Sequence, residues 1–420
     1  MATTAPTLPS RTSPALPHRT RTARISVRSL GPNWYATVMG TAIVASAGVV
    51  LPVDVPGTRA ACAGVWVLSA LLLVALLGAR ATHWARHGDQ ARAHLLDPAV
   101  APFYGCAAMA LLAVGGGTLA VGGEVIGTRA AVAVDAGLWL AGTAVALLAA
   151  AGVPYLMIAR HRIGPGDASP VWLLPVVAPM VSAALGPALV PHLPTGQWRE
   201  AMLLACYALF GLSLLGTLVL LPIIVAGLLR YGPPPLALTP TLFLVLGPLG
   251  QSTTAVGQLA IVAPGAIRAP YPDAMAAFAV LYGVPVMGFA LLWLALAAAL
   301  VVRAVRGGMP YAMTWWAFTF PVGTCVTGAA VLARHTDLAA LRWLAVGLYA
   351  LLVLAWAVAS VRTVAGIARG TLLAPDHPAP ARESAAAAEP VTEPVTQQVT
   401  QPVTEQAAAA GSARSVQGVA

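Results

Sequence analysis

Two histidines, His83 and His87, stand four residues apart in the stretch ARATHWARHGD. On a helix that spacing puts both imidazoles on one face, as a metal pair requires. No third ligand and no neighbouring glutamate accompanies them, so they read as interfacial histidines and no metal is expected. The run Gly115, Gly116, Gly117 lacks the Lys-Ser/Thr that follows the glycines of a phosphate loop, and it lies inside an apolar segment. Cys62, Cys106, Cys206 and Cys325 are each isolated in apolar sequence and read as small packing residues. With no convergence of His, Glu or Cys, neither a catalytic constellation nor a cofactor is expected. What recurs instead is a chemistry of hydroxyls, amides and prolines on apolar segments. The stretch Met309 to Leu332, MPYAMTWWAFTFPVGTCVTGAAVL, places Pro321 between Thr319 and Thr324. In hydrocarbon a mid-helix proline frees a carbonyl, which must find a partner or line a wet path; here it is read as lining a path.

The elements that carry these residues are membrane helices. Of 420 residues, 59% are hydrophobic and 9% charged, far from the usual quarter charged. All 23 basic residues are arginine, against 14 acids. In a soluble chain that balance suggests nucleic acid; in an apolar one it reflects orientation in a bilayer, and no nucleic-acid partner is expected. Residues 1–30 are rich in Arg, Ser, Thr and Pro with no acid, a composition shared by transit peptides, but no cleavable apolar core follows, so they read as a basic cytoplasmic tail. Residues 370–420 include PVTEPVTQQVTQPVTE from Pro390 and read as a disordered tail. Residues 31–369 hold ten hydrophobic segments, at 34–52, 59–80, 100–122, 131–159, 170–190, 200–229, 238–262, 274–302, 311–333 and 338–366, each near or above the roughly 20 residues needed to span.

Arginine placement orients these segments. With the N-terminus cytoplasmic, the inner side receives 17 arginines and the outer side 6, which by the positive-inside rule puts both termini in the cytoplasm. The outer Arg59, Arg129, Arg199, Arg268 and Arg334 follow one another at 70, 70, 69 and 66 residues, a five-fold repeat in which each unit is a helical hairpin. Even-numbered segments are almost purely apolar and read as walls facing lipid. Odd-numbered ones hold the breakers and hydroxyls: Thr37, Gly40 and Thr41 on the first, Pro175, Pro179 and Ser182 on the fifth, Pro248, Gln251 and Ser252 on the seventh, Pro321 and Thr324 on the ninth. Pro175, Pro248 and Pro321 are spaced by 73 residues, so the break recurs at one level of the repeat. Polar atoms at membrane depth need protein or a wet cavity around them. Five such segments about one axis therefore predict a central pore, although hydroxyls and glycines also serve as packing glue between membrane helices.

Four stretches carry a resemblance. GPNWYATVMGTAIVA at Gly31, WLLPVVAPMVSA at Trp172, LGPLGQSTTAVGQLA at Leu246 and WWAFTFPVGT at Trp315 resemble the tellurite-resistance/dicarboxylate transporter family, which includes plant slow anion channels, the bacterial tellurite-resistance protein and fungal malate and sulfite transporters. The resemblance covers all ten segments and implies an all-α integral membrane fold of five hairpins in quasi-five-fold arrangement, an anion pore within each subunit, and a homotrimer. It also implies a phenylalanine gate on the ninth segment, which falls on Phe320 beside the proline, with Phe318 second. Two residues apart on a helix these point about 200° from each other, so both cannot face one axis. Without the resemblance, either ring reads as packing against a neighbouring helix.

The acids Asp54, Glu124, Asp135, Glu200, Asp273 and Asp337 are placed at or near outer ends, none inside an odd segment. A pathway with hydroxyls and amides, flanked by arginine and free of fixed negative charge, suits anions; a proton-coupled dicarboxylate symporter is the alternative, and a non-transport membrane enzyme or scaffold a third. The substrate expected is a small anion such as a C4-dicarboxylate like malate, sulfite, tellurite or an inorganic ion. Absence of lysine with abundant alanine points to a bacterial plasma membrane.

Overall fold

Proline sets the starts of several helices. Short 3-10 turns at Pro32–Trp34, Ala101–Phe103 and Pro170–Trp172 carry Pro32, Pro102 and Pro170 at their first or second position, where a missing N–H leaves no helical bond unmade. Each leads directly into an α-helix, as does the longer 3-10 segment at Leu236–Val245, while Met313–Phe318 is separated by Thr319 from the α-helix that starts at Phe320. The computed structural model describes residues 30–164 and 166–372. The two tails read from composition fall outside the described residues except at their inner ends.

Among the described residues there is no strand, and twelve α-helices follow in order: α1 Tyr35–Val49, α2 Thr58–Arg86, α3 Gly88–Leu96, α4 Tyr104–Gly117, α5 Gly123–Ile126, α6 Thr128–Ala159, α7 Leu173–Leu185, α8 Gln197–Tyr231, α9 Leu246–Val262, α10 Tyr271–Arg306, α11 Phe320–Thr336 and α12 Ala339–Ala368. A π-helical turn, Thr118–Gly122, joins α4 to α5. Among the described residues, eight helical runs are long and apolar enough to cross a membrane, where the sequence suggests ten. The first and seventh expected segments fall on α1 and on Leu236–Val245 with α9, outside that count. The α1 helix is short, and α9 is diluted by Gln251, Ser252, Thr253, Thr254 and Gln258. Both are almost wholly covered by protein, which supplies the apolar surroundings that their own length or composition does not.

Burial separates two kinds of helix. In α2, α6, α8, α10 and α12 only 17–28% of the most apolar window is buried, against 72–89% in the spans built on α4, α7 and α11. The first group exposes Leu71, Leu148, Leu215, Leu292 and Leu354, surface that suits lipid tails rather than water. The second group, with α1 and α9, makes a closed circuit: α1 touches α4, α4 touches α7, α7 touches α9, α9 touches α11, and α11 touches α1.

Small residues allow the close approach, because between helices in lipid it is packing rather than water exclusion that drives association. A Cβ on Gly105 would strike the backbone of Leu174 and Pro175, and one on Gly250 the backbone of Thr324 and Cys325. Side chains of the more exposed helices then tie down α1, α7 and the segments flanking α4 and α9. Indole N–H groups donate from Trp66 to the Thr118 hydroxyl (3.0 Å), from Trp139 to the Ser182 carbonyl (3.0 Å), from Trp293 to the Leu242 carbonyl (2.9 Å) and from Trp356 to the Thr41 hydroxyl (3.1 Å). The Ser213 hydroxyl donates to the Val176 carbonyl at 2.6 Å. Bonds of this kind contribute about 0.6 kcal/mol each in membrane proteins, at most about 1.7.

Candidate functional site

The circuit of five inner helices encloses two cavities. The larger, of about 150 Å³, is lined by late residues of each segment, among them Val50, Ala120, Ala188, Gln258 and Arg334. The smaller, of about 10 Å³, is lined by early ones, among them Met39, Met109, Leu174, Leu244 and Pro321. Each cavity takes the same half of all five segments, so the five run parallel about a common axis. Phe320 borders both cavities, and among the described residues no other does. Its ring, 3% exposed, is the partition between them.

Polarity in the larger cavity is one-sided. Helix α9 contributes Gln251, Thr254 and Gln258, three and four residues apart and so on one face; α11 contributes Phe320, Thr327, Val331 and Arg334 on one face. The other three segments supply Ser46 and otherwise aliphatic side chains and Gly116. The Thr254 and Thr327 hydroxyls meet at 2.7 Å, and both also reach helix carbonyls, Thr254 to Gly250 (3.0 Å) and Thr327 to Thr324 (3.0 Å). Gln251 is 3% exposed and its Oε1 has no hydrogen-bond partner, a costly condition for a buried amide. Arg334, on the last turn of α11, lines the cavity without an ion pair or hydrogen bond to another described residue. Three of the other outer arginines are engaged elsewhere. Arg59 pairs with Glu124 at 2.6 Å, Arg342 pairs with Asp337, and Arg199 donates to the Leu193 and Pro191 carbonyls at 2.9 Å.

The smaller cavity has no polar side chain. Met39, Met109, Leu173, Leu174, Val177 and Leu244 meet Phe320 and Pro321 there. At about 10 Å³ it is at the lower limit for one water, and its walls offer water no partner.

Of the residues singled out in the sequence, Phe320 and Gln251 line the larger cavity, and Phe320 and Pro321 the smaller. Phe318 lies elsewhere, edge-on to Phe243 at 4.8 Å and near Trp315 at 5.8 Å between ring centroids. Thr37 donates to the Trp34 carbonyl (2.8 Å), Thr41 to Thr37 (2.7 Å), Ser252 to Leu249 (3.1 Å) and Thr324 to Pro321 (2.7 Å). These four hydroxyls line neither cavity and act within or between helices. The Ser182 hydroxyl is buried and unpartnered. Gly40 lies against Thr319 and Trp316. Pro175 and Pro248 are the third residues of α7 and α9, and Pro321 the second of α11, so the recurrent proline marks the junction from 3-10 turn to α-helix, where no carbonyl is freed as it would be mid-helix. Pro179 lies inside α7. Asp135, placed near an outer end from sequence, lies within α6 at 2% exposure, against Gly115 in the wall behind the larger cavity.

Thr254, Thr327, Gln258 and Arg334 are the cavity residues that sequence reasoning did not gather. The signal was present in the three-and-four spacing of Gln251, Thr254 and Gln258. His83 stacks on His94 at 5.5 Å, with His87 at 6.1 Å from His83; among the described residues no three His, Cys, Asp or Glu side chains converge as metal ligands.

Apolar helices around an axial cavity whose lining includes Arg334 and Phe320 are those of a multi-pass membrane protein. The chain belongs to the SLAC1 family of voltage-dependent anion channels, whose pattern matches residues 29–364. It is similar to a Methanocaldococcus jannaschii protein designated an uncharacterized transporter, 27% identical over 339 residues that make up 80% of this chain and 93% of that one. It is also similar to a sulfite efflux pump of Trichophyton rubrum, 28% identical over 325 residues, 76% of this chain and 85% of that one.

Proposed function

We propose that the chain moves small anions along the axis enclosed by α1, α4, α7, α9 and α11, with Phe320 as the gate. Ten membrane segments form five hairpins in quasi-five-fold order, the inner member of each facing the axis and the outer facing lipid. The observation that carries this reading is the place of Phe320 as partition between a roomy, partly polar cavity and a tight apolar one. Anion preference follows from the lining, which offers a guanidinium, amides and hydroxyls and no carboxylate. Sulfite is the first substrate to try, given the named activity of the fungal relative, with malate, tellurite and inorganic anions beside it. The assembly is a homotrimer with a pathway in each subunit, set in a bacterial plasma membrane with both termini cytoplasmic.

A flux panel in proteoliposomes comparing sulfite, malate, nitrate, chloride and tellurite tests the reading. Saturable or conductive flux of at least one anion above empty liposomes is expected; none across the panel, with folded protein, would sink it.

A second reading, proton-coupled symport, draws on Asp135. Intramembrane carboxylates often serve as proton relays, and this one backs the cavity wall. Under symport, Asp135→Asn removes the stimulation of uptake by an imposed proton gradient; under passive conduction that variant keeps the wild-type response.

A further inference from the structure

The ring that parts the two cavities is carried on a short strap. Phe320 is the first residue of α11, and the 3-10 segment Met313–Phe318 precedes it with Thr319 alone between them. We propose that Thr363, on the exposed helix α12, is a positioning residue for Phe320: its hydroxyl latches Trp316 of the strap, and opening the latch lets the ring leave the axis. This rests on the reading of Phe320 as the gate and adds what holds the gate shut.

The Thr363 hydroxyl is fully engaged. It is buried, donates to the Ala359 carbonyl at 2.7 Å, accepts from the Trp316 indole N–H at 2.9 Å and meets the Tyr311 hydroxyl at 2.6 Å. A hydroxyl has one proton and two lone pairs. Its proton goes to Ala359, so Tyr311 is the donor in the last contact. Tyr311 also reaches the Ala359 carbonyl at 3.2 Å, and its oxygen stands beside the same indole. Removing the Thr363 hydroxyl therefore leaves the Trp316 N–H one alternative acceptor among the described residues. Removing both oxygens leaves it none, and a buried donor without a partner is costly.

The latch acts on a segment that is otherwise held only at its ends. The start of the strap is tied by the Thr314 hydroxyl, which donates to the Ala237 carbonyl at 2.5 Å. Near its end, Trp316 and Thr319 lie against Gly40 of α1, where a Cβ would strike both side chains, and the Thr319 hydroxyl donates to the Trp316 carbonyl at 2.7 Å. Arg362, next to Thr363, sits over the Trp315 ring at 5.8 Å, a weaker cation–π hold from the same helix. With Trp316 released, Thr319 is the hinge between two helical segments and Phe320 is the residue it carries. Since α12 also exposes Leu354, Val361 and Val364, the latch connects the gate to the outer wall of the protein.

Nitrate and sulfite flux in proteoliposomes, read beside hydrogen exchange of residues 313–320, tests the proposal. Taking the partner from a buried donor shifts a balance at least about fivefold. Thr363→Val together with Tyr311→Phe should therefore raise flux about fivefold or more, up to the level of Phe320→Ala, and Thr363→Val alone should raise it less. Thr363→Ser, which keeps the hydroxyl, should return flux toward wild type, and exchange in the strap should quicken in the same order as flux. In a Phe320→Ala background the latch variants should add nothing, a result that general loosening of the protein would not give. Arg362→Gln, at an exposed side chain, should act in the same sense more weakly and serves where the double variant folds poorly. Unchanged flux in the folded double variant, or an equal gain with and without the Phe320 ring, would overturn the latch. Flux unchanged in Phe320→Ala, with strap exchange that responds as stated, would instead overturn Phe320 as the gate and leave the latch as its anchor.

Discussion

Truncating Phe320 to alanine separates the contribution of the ring from that of the layer beneath it. The ring is floor to a cavity of about 150 Å³ and roof to one of about 10 Å³. Removing it joins the two, but Met39, Met109, Leu174 and Leu244 remain below as a dry constriction. Apolar constrictions gate by excluding water, so the joined space still resists a hydrated ion. We expect Phe320→Ala to raise anion flux about tenfold, equal to about 1.4 kcal/mol off the barrier, and Phe320→Ala with Leu244→Ala to raise it on the order of a hundredfold, about 2.7 kcal/mol. Truncating a fully packed Phe costs about 3–5 kcal/mol of stability. Here the ring already borders empty space above and below, so the loss should fall at or under about 3 kcal/mol. Proteoliposome flux with protein content matched, alongside thermal unfolding in detergent, reads both quantities. Unchanged flux in folded Phe320→Ala, with a gain in Leu244→Ala alone, would refute the ring as barrier and move the gate to the aliphatic layer.

Gly250→Val puts side-chain atoms into the Thr324 and Cys325 backbone and should cost about 1–3 kcal/mol by overpacking, seen as a lowered unfolding temperature. Gly288→Ala, with nothing within 4 Å of its added carbon, should leave that temperature unchanged or slightly raised. A double-mutant cycle on Thr254→Val and Thr327→Val should give a coupling near 0.6 kcal/mol, with about 1.7 as ceiling; a coupling of zero would mean that the 2.7 Å contact contributes nothing.

Several helix starts were legible because they are written in residues that lipid makes conspicuous. Arginines at 70-residue steps and prolines at 73 stand out against apolar sequence, and they divide the chain into units without any knowledge of contacts. Direction within a unit was less legible. Thr41 reads as a pore hydroxyl on composition alone, yet its oxygen accepts from Trp356, 315 residues away, and only that distant indole fixes which way the face turns. Pro321 reads as a mid-helix break because the hydrophobic run continues through it, whereas Met313–Phe318 winds as a 3-10 segment and α11 starts at Phe320. Arg334 was visible as one member of a series of outer arginines. What sets it apart is its place in the lining of the larger cavity, while Arg59, Arg342 and Arg199 are drawn to Glu124, Asp337 and the Pro191 and Leu193 carbonyls.

The parallel course of the five inner helices has an electrical consequence. Peptide dipoles in each helix add along its axis to roughly half a positive charge at the N-terminal end and half a negative charge at the C-terminal end. In α1, α4, α7, α9 and α11 the starts gather around the tight apolar cavity and the ends around the roomy one, so the five fields add near the axis, while the returning α2, α6, α8, α10 and α12 oppose them from further out. An anion approaching from the helix starts meets converging positive ends. One approaching from the other side meets negative ends, offset where Arg334 stands on the last turn of α11. The space along the axis is thus polarised before any membrane voltage is applied, and currents in the two directions should differ in size, more so when Arg334 is neutralised.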